Sequence, residues 1–168
     1  MQKTFSPRQF VWCQFPYSEE PLRPGPDEHV GYVADIRKID GNAHLTVMSL
    51  YTTTTKWEPG MRLPLGVIPV DPGLAAKMNQ KGFVMDARRV AFIPVKNEFF
   101  PRLKDPDKGI VHTASLKFHT LVENTLMELA RRPELVVRLG PDVPGMARRP
   151  SRTPRDEDSG PSDPTGML

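Results

Sequence analysis

Cys13 is the only cysteine in the chain, which rules out an internal disulfide framework and paired-cysteine zinc motifs alike. No stretch approaches the roughly 18 consecutive apolar residues that a membrane-spanning helix needs, and no apolar leader is recognisable, so neither insertion nor secretion is signalled. A cytoplasmic location without membrane contact is the expectation. Hydrophobic residues make up 38% and aromatic residues 8% of the 168 positions, low values for a packed domain. The dilution is local, because proline and glycine crowd the region beyond residue 139. Local catalytic signatures are missing too: there is no P-loop, no GxGxxG and no HExxH. His29, His44, His112 and His119 stand apart without ligand spacing, so neither a metal nor a cofactor is expected. His119, beside Phe118, reads as a helix-surface or boundary residue and His44 as a solvated one next to a turn. A net charge of +3 and a pI near 9.1 permit an anionic partner without demanding one.

What the chain does contain is strand pattern. Residues 9–15 (QFVWCQF) are aromatic, β-branched and almost continuously apolar, as a buried strand requires, and Pro16 ends them. Residues 17–28 (YSEEPLRPGPDE) hold three prolines, a glycine and five charges, the composition of a long polar loop. The run from His29 stops at the turn signal Asp40-Gly41-Asn42, and an apolar run follows at once, which predicts an antiparallel hairpin. Residues 61–70 (MRLPLGVIPV) suit an edge strand because Pro64 and Pro69 cannot donate to a ladder. Asp71 with Pro72 behind it opens a short helix, with Gly82 beyond its end. Residues 83–95 offer one or two strands, and residues 110–115 a short one. In residues 115–132, Leu116, Phe118, Leu121, Val122, Leu126 and Leu129 recur at helical spacing, predicting one amphipathic helix closed by Pro133.

This order predicts a mainly β domain over residues 1–139, a small twisted antiparallel barrel-like sheet with a short helix insert and a C-terminal amphipathic helix. Residues 140–168 have almost nothing large and apolar to bury and are expected to form a disordered tail.

The stretch from Arg8 through the long loop to Ile36, a third run ending in YTTTTK, the segment KGFVMDARRVAFIPVKNEFF and one closing helix together resemble the PemK/MazF-like toxins of bacterial toxin–antitoxin pairs. The resemblance spans about residues 5–136 and rests on short motifs. It implies an SH3-like, plasmid-growth-inhibitor-like barrel, homodimeric, that cleaves single-stranded RNA without a metal and is restrained by a cognate antitoxin. Such cleavage needs the substrate's own 2′-hydroxyl to attack the adjacent phosphate. A base must take its proton, an acid must serve the leaving 5′-oxygen, and a cation must hold the charge that grows on phosphorus.

Carried over by position, the family's catalytic threonine falls on Thr52 or Thr53, with Thr54 the next candidate. Its Arg-Pro pair falls on His29 and Val30, whereas a literal Arg-Pro stands earlier, at Arg23 and Pro24. The Gly-Asp pair that opens the family's first strand is replaced by Arg8 and Gln9. A histidine at the arginine's place can act as base or acid near neutrality but supplies no permanent bidentate charge, a role left for Arg23. Lys56, Trp57, Arg88 and Arg89 complete the substrate-binding candidates. Each has a plainer reading: threonines as β-branched strand filler, His29 as a strand-start surface residue, the arginines as a solvated face, and Trp57 as a buried ring. If the absent arginine has ended catalysis, the same scaffold remains a module that binds RNA or, like the related CcdB-like toxins, a protein target.

Overall fold

A computed structural model describes residues 5–39, 41–51 and 60–141. Its strands are β1 (Gln9–Cys13), β2 (His29–Ile39), β3 (Asn42–Tyr51), β4 (Val67–Val70), β5 (Phe83–Pro94), β6 (Ile110–Thr113) and β7 (Val137–Leu139). Its helices are α1 (Pro72–Ala76), α2 (Pro106–Gly109) and α3 (Leu116–Ala130), and a 3-10 turn spans Pro133–Leu135. The fold is mainly β. Six strands form one path in the order β4-β5-β3-β2-β1-β6, and β7 joins β5 off that path. Every pairing is antiparallel except β5 with β7.

The hairpin lies where the Asp-Gly dipeptide predicts it: Ile39 pairs with Asn42, and Gly41 takes φ +80°. Three irregularities bend the sheet, and one of them decides which face each β2 residue occupies. Val30, Tyr32 and Ala34 pack into one core, while Val33 and Ile36 pack into another. A break in register between Val33 and Asp35 leaves Ala34 as an extra residue, so residues of opposite parity come to share a face. On β5 the partner of Met48 is Val90 and that of Ser49 is Asp86, so residues 87–89 bulge out as a group. The segment that reads in sequence as one or two strands is therefore one strand with a sharp bend.

The first core gathers Phe10, Tyr32, Ile68, Met85, Val122 and Leu129; the second gathers Val11, Cys13, Phe15, Ile93, Phe99, Phe100 and Leu139. Burying one such large side chain contributes about 1.5–3 kcal/mol. Helix α1 is capped by Asp71, whose carboxylate accepts from the Leu74 N–H at 2.8 Å; the helix sends Ala75, and the turn after it Met78, into the first core. Burial and, after it, the nearby charge of Lys77 push the His112 imidazole pKa down. Ala75 of α1 and Ile68 and Val70 of β4 share the first core with Phe10 of β1, near the other end of the strand order. Among the described residues the sheet curls around that core without being closed by strand pairing.

Ser115 caps α3 by accepting from the Phe118 N–H at 3.2 Å. Phe118, Val122, Leu126 and Leu129, spaced by four, four and three, form the stripe that meets the sheet. Leu116 and Leu121 fall outside that stripe and are exposed. Nor is α3 the last element, because the 3-10 turn and β7 follow it. Residues 142–168, nearly all of the expected tail, lie outside the described residues. Among the described residues no helix is long and apolar enough to cross a membrane.

Candidate functional site

Residues 14–28 leave β1 at its Cys13 end and return at His29, which pairs with Cys13. The turn is tight enough to demand glycine at position 25. Its N–H bonds the Gln14 carbonyl at 3.2 Å, and a Cβ there would stand 2.2 Å from the Phe15 carbonyl oxygen. Two further ties fasten the loop to distant chain: the Gly140 N–H bonds the Pro21 carbonyl at 2.6 Å, and Arg89 Nη2 donates to Ser18 Oγ at 3.1 Å.

Inside this loop the Tyr17 hydroxyl lies 3.0 Å from His29 Nε2 and donates to Asp27 Oδ2 at 3.3 Å. Burial, then the negative charge of Asp27, pushes the Tyr17 phenol pKa above its ordinary value. If that proton goes to Asp27, the phenol oxygen accepts from Nε2–H of His29 and Nδ1 is the nitrogen left without a proton. Arg23 is exposed on the same loop, at a shallow hollow of about 210 Å³ that it shares with Glu20, Pro21 and Leu22. None of the hydrogen bonds or ion pairs described joins Arg23 to His29.

The β2–β3 ladder runs antiparallel as far as Gly31 with Ser49, two residues from the start of β2 at His29 and two from the end of β3 at Tyr51. The end of β3 and the start of β2 therefore share one end of the sheet. Thr52, Thr53, Thr54, Lys56 and Trp57 follow Tyr51 in the chain and lie outside the described residues.

The two arginines of β5 have different surroundings. Arg88 donates Nε and Nη2 to the two oxygens of Asp86 at 2.9 and 3.0 Å, and its backbone N–H adds a third bond at 3.0 Å. Asp86 is a buried carboxylate, so this fork is committed to holding the bulge. Arg89 instead reaches the candidate loop through Ser18.

Several polar residues outside the candidate site residues make defined contacts. On β2 the buried Tyr32 hydroxyl lies 2.6 Å from His119 Nδ1, and His119 Nε2 lies 3.2 Å from Glu123 on the next helical turn. Burial pushes the Tyr32 phenol pKa far up, against a smaller opposing pull from Arg8. His119, 13% exposed, ties α3 to the sheet and is a boundary residue, the second of the two readings its sequence context offers. The available signal was its spacing of four from Glu123 beside the apolar Phe118. Tyr17 and Asp27 had no such signal, since their meeting with His29 depends on the loop's path. Arg8 takes φ +74°, a left-handed conformation that favours glycine, and donates Nε and Nη2 to the Ala114 carbonyl at 3.0 and 2.8 Å. Among the described residues no three His, Cys, Asp or Glu side chains are grouped to hold a metal ion.

Fold and site define a mainly β protein whose first long loop meets a histidine at the start of β2. No family model, curated protein or solved structure matches the chain.

Proposed function

We propose that the chain is a cytoplasmic toxin-type endoribonuclease of the PemK/MazF kind, acting on single-stranded RNA from a homodimeric, SH3-like barrel and restrained by a cognate antitoxin. The observation that carries this reading is that His29, held by Tyr17, opens β2 at the same end of the sheet at which β3 finishes and leads into the threonine run. Arg8 adds support: it stands where the family has glycine and keeps a conformation that favours glycine.

In the proposed reaction His29 Nδ1 takes the proton of the substrate's 2′-hydroxyl, whose oxygen bonds to phosphorus as the bond to the 5′-oxygen breaks. The leaving oxygen takes a proton from water, and the products are a 2′,3′-cyclic phosphate and a free 5′-hydroxyl. Arg23 meets the charge on the phosphate oxygens, and a hydroxyl of Thr52 or Thr53 completes the cradle. Thr54, Lys56, Trp57 and Arg89 are assigned to the flanking nucleotides. The test is incubation of the purified chain with a long single-stranded RNA in EDTA. Fragments ending in 2′,3′-cyclic phosphate are expected, and RNA left intact at high protein concentration overturns the proposal.

A second reading, a module that binds RNA or a protein target without cleaving, is favoured by the commitment of Arg88 to Asp86. Retention of RNA on the immobilised chain with no fragments formed selects RNA binding. Recovery of one host protein and no RNA selects the CcdB-like alternative.

A further inference from the structure

Arg102 places its guanidinium over the ring of Trp12, the β1 residue whose partner on β2, Val30, follows the candidate base. Its guanidinium carbon stands 4.7 Å from the centre of the Trp12 ring. Nε donates to Glu28 at 3.0 Å, and Nη1 reaches the Lys108 carbonyl at 3.4 Å. These contacts, together with the ring, fix the orientation of the fork. Glu28 immediately precedes His29, and Trp12 pairs with Val30. The Arg102 side chain is 39% exposed, with one face taken by the indole.

Anchoring alone does not account for this arrangement. The segment carrying Arg102 is already fixed by Phe99 and Phe100, both buried in the second core, and by the Gln14 N–H on the Phe99 carbonyl at 2.8 Å. A planar cation backed by an aromatic ring is a ready platform for another flat π system, and unstacked nucleobases of single-stranded RNA are held on arginine planes in this way. We infer that Arg102, backed by Trp12 and oriented by Glu28, is a nucleobase-stacking site for a nucleotide flanking the scissile phosphate. The inference rests on the endoribonuclease reading and adds to it a base-binding position outside the threonine segment.

The experiment measures affinity of the full chain for a single-stranded RNA made uncleavable by 2′-O-methylation. An abasic sugar–phosphate chain of the same length is the control, and both are titrated over a salt series. Arg102→Lys keeps the charge and removes the plane. Stacking predicts that it loses roughly tenfold in affinity for the RNA, none for the abasic chain, and none of the salt slope. Equal losses on both chains, or a slope reduced by about one, make Arg102 a phosphate contact and overturn the inference. Should the lysine variant not fold, Glu28→Gln, which loosens the fork, is expected to give a smaller loss of the same base-dependent kind; no loss overturns the inference. Wild type that cleaves ordinary RNA while Arg102→Lys binds the methylated RNA unchanged removes the platform and keeps the nuclease. Wild type that neither binds nor cleaves removes both.

Discussion

Strand β2 carries two residues that each form half of a tyrosine–histidine pair, and the two pairs have opposite characters. Tyr32 is fully buried, bonds His119 at 2.6 Å, and joins the sheet to α3 in a chain that ends on Glu123. His29, three residues earlier, bonds Tyr17 at 3.0 Å in a loop, with Asp27 taking the phenol proton. In the first pair the tyrosine belongs to the strand and the histidine arrives on a helix; in the second the roles are exchanged. The first pair has both ring nitrogens of its histidine in contacts, with Tyr32 and Glu123, whereas the contact described for His29 uses Nε2. Identical side chains thus serve as a fastener between helix and sheet in one place and, on the proposed reading, as a reagent in the other.

The largest effect expected is on the loop pair. His29→Gln should lower RNA cleavage by about 100-fold or more, the usual loss when a general base is removed, with little change in melting temperature. His119→Gln should do the reverse, lowering stability while cleavage by the folded fraction persists. Comparable cleavage losses in both would dissolve the contrast. Next comes Asp86→Asn, which weakens three hydrogen bonds to Arg88 at a buried position and should cost about 2 kcal/mol in urea unfolding. Loss of cleavage without loss of stability would move Arg88 from scaffold to site. Tyr32→Phe should cost about 1 kcal/mol because the imidazole loses its partner, whereas Tyr17→Phe should stay within about 0.5 kcal/mol. The smallest effect is read by alkaline titration of tyrosine absorbance. Both phenols are raised by burial, so each favours the protonated folded form, and stability declines as pH rises past the ordinary value of 10. Tyr17 should ionise within the folded chain and Tyr32 only as it unfolds; simultaneous ionisation would show that the two environments are alike.

Local patterns made much of the sheet legible. The apolar run at β1, the Asp-Gly turn, the proline-rich loop and the Asp71-Pro72 cap all state their structure within a few residues. Parity along β2 and the bend in β5 were not legible, because a bulge is decided by register with a partner strand. Strand β7 escaped for a related reason: it is three residues long, and its parallel partner Ala91 lies far back in the chain. Helical spacing included Leu116 and Leu121, but the stripe that meets the sheet is narrower than the set of apolar residues. At the site, His29 was marked by its place in the strand order. Tyr17, Asp27 and Arg102 were not, since each is brought to it by the route of a loop.

The tie between Gly140 and Pro21 bears on the order of assembly. Strands β1 to β3 emerge first, yet the loop between the first two is held by Arg89 of β5 and by the residue that follows β7. Contacts across such separations form late, because a long loop must be closed before they return any energy. A growing chain therefore carries His29 well before the fastenings of its loop exist. On the proposed reading, activity that depends on that loop comes on only once β7 has docked.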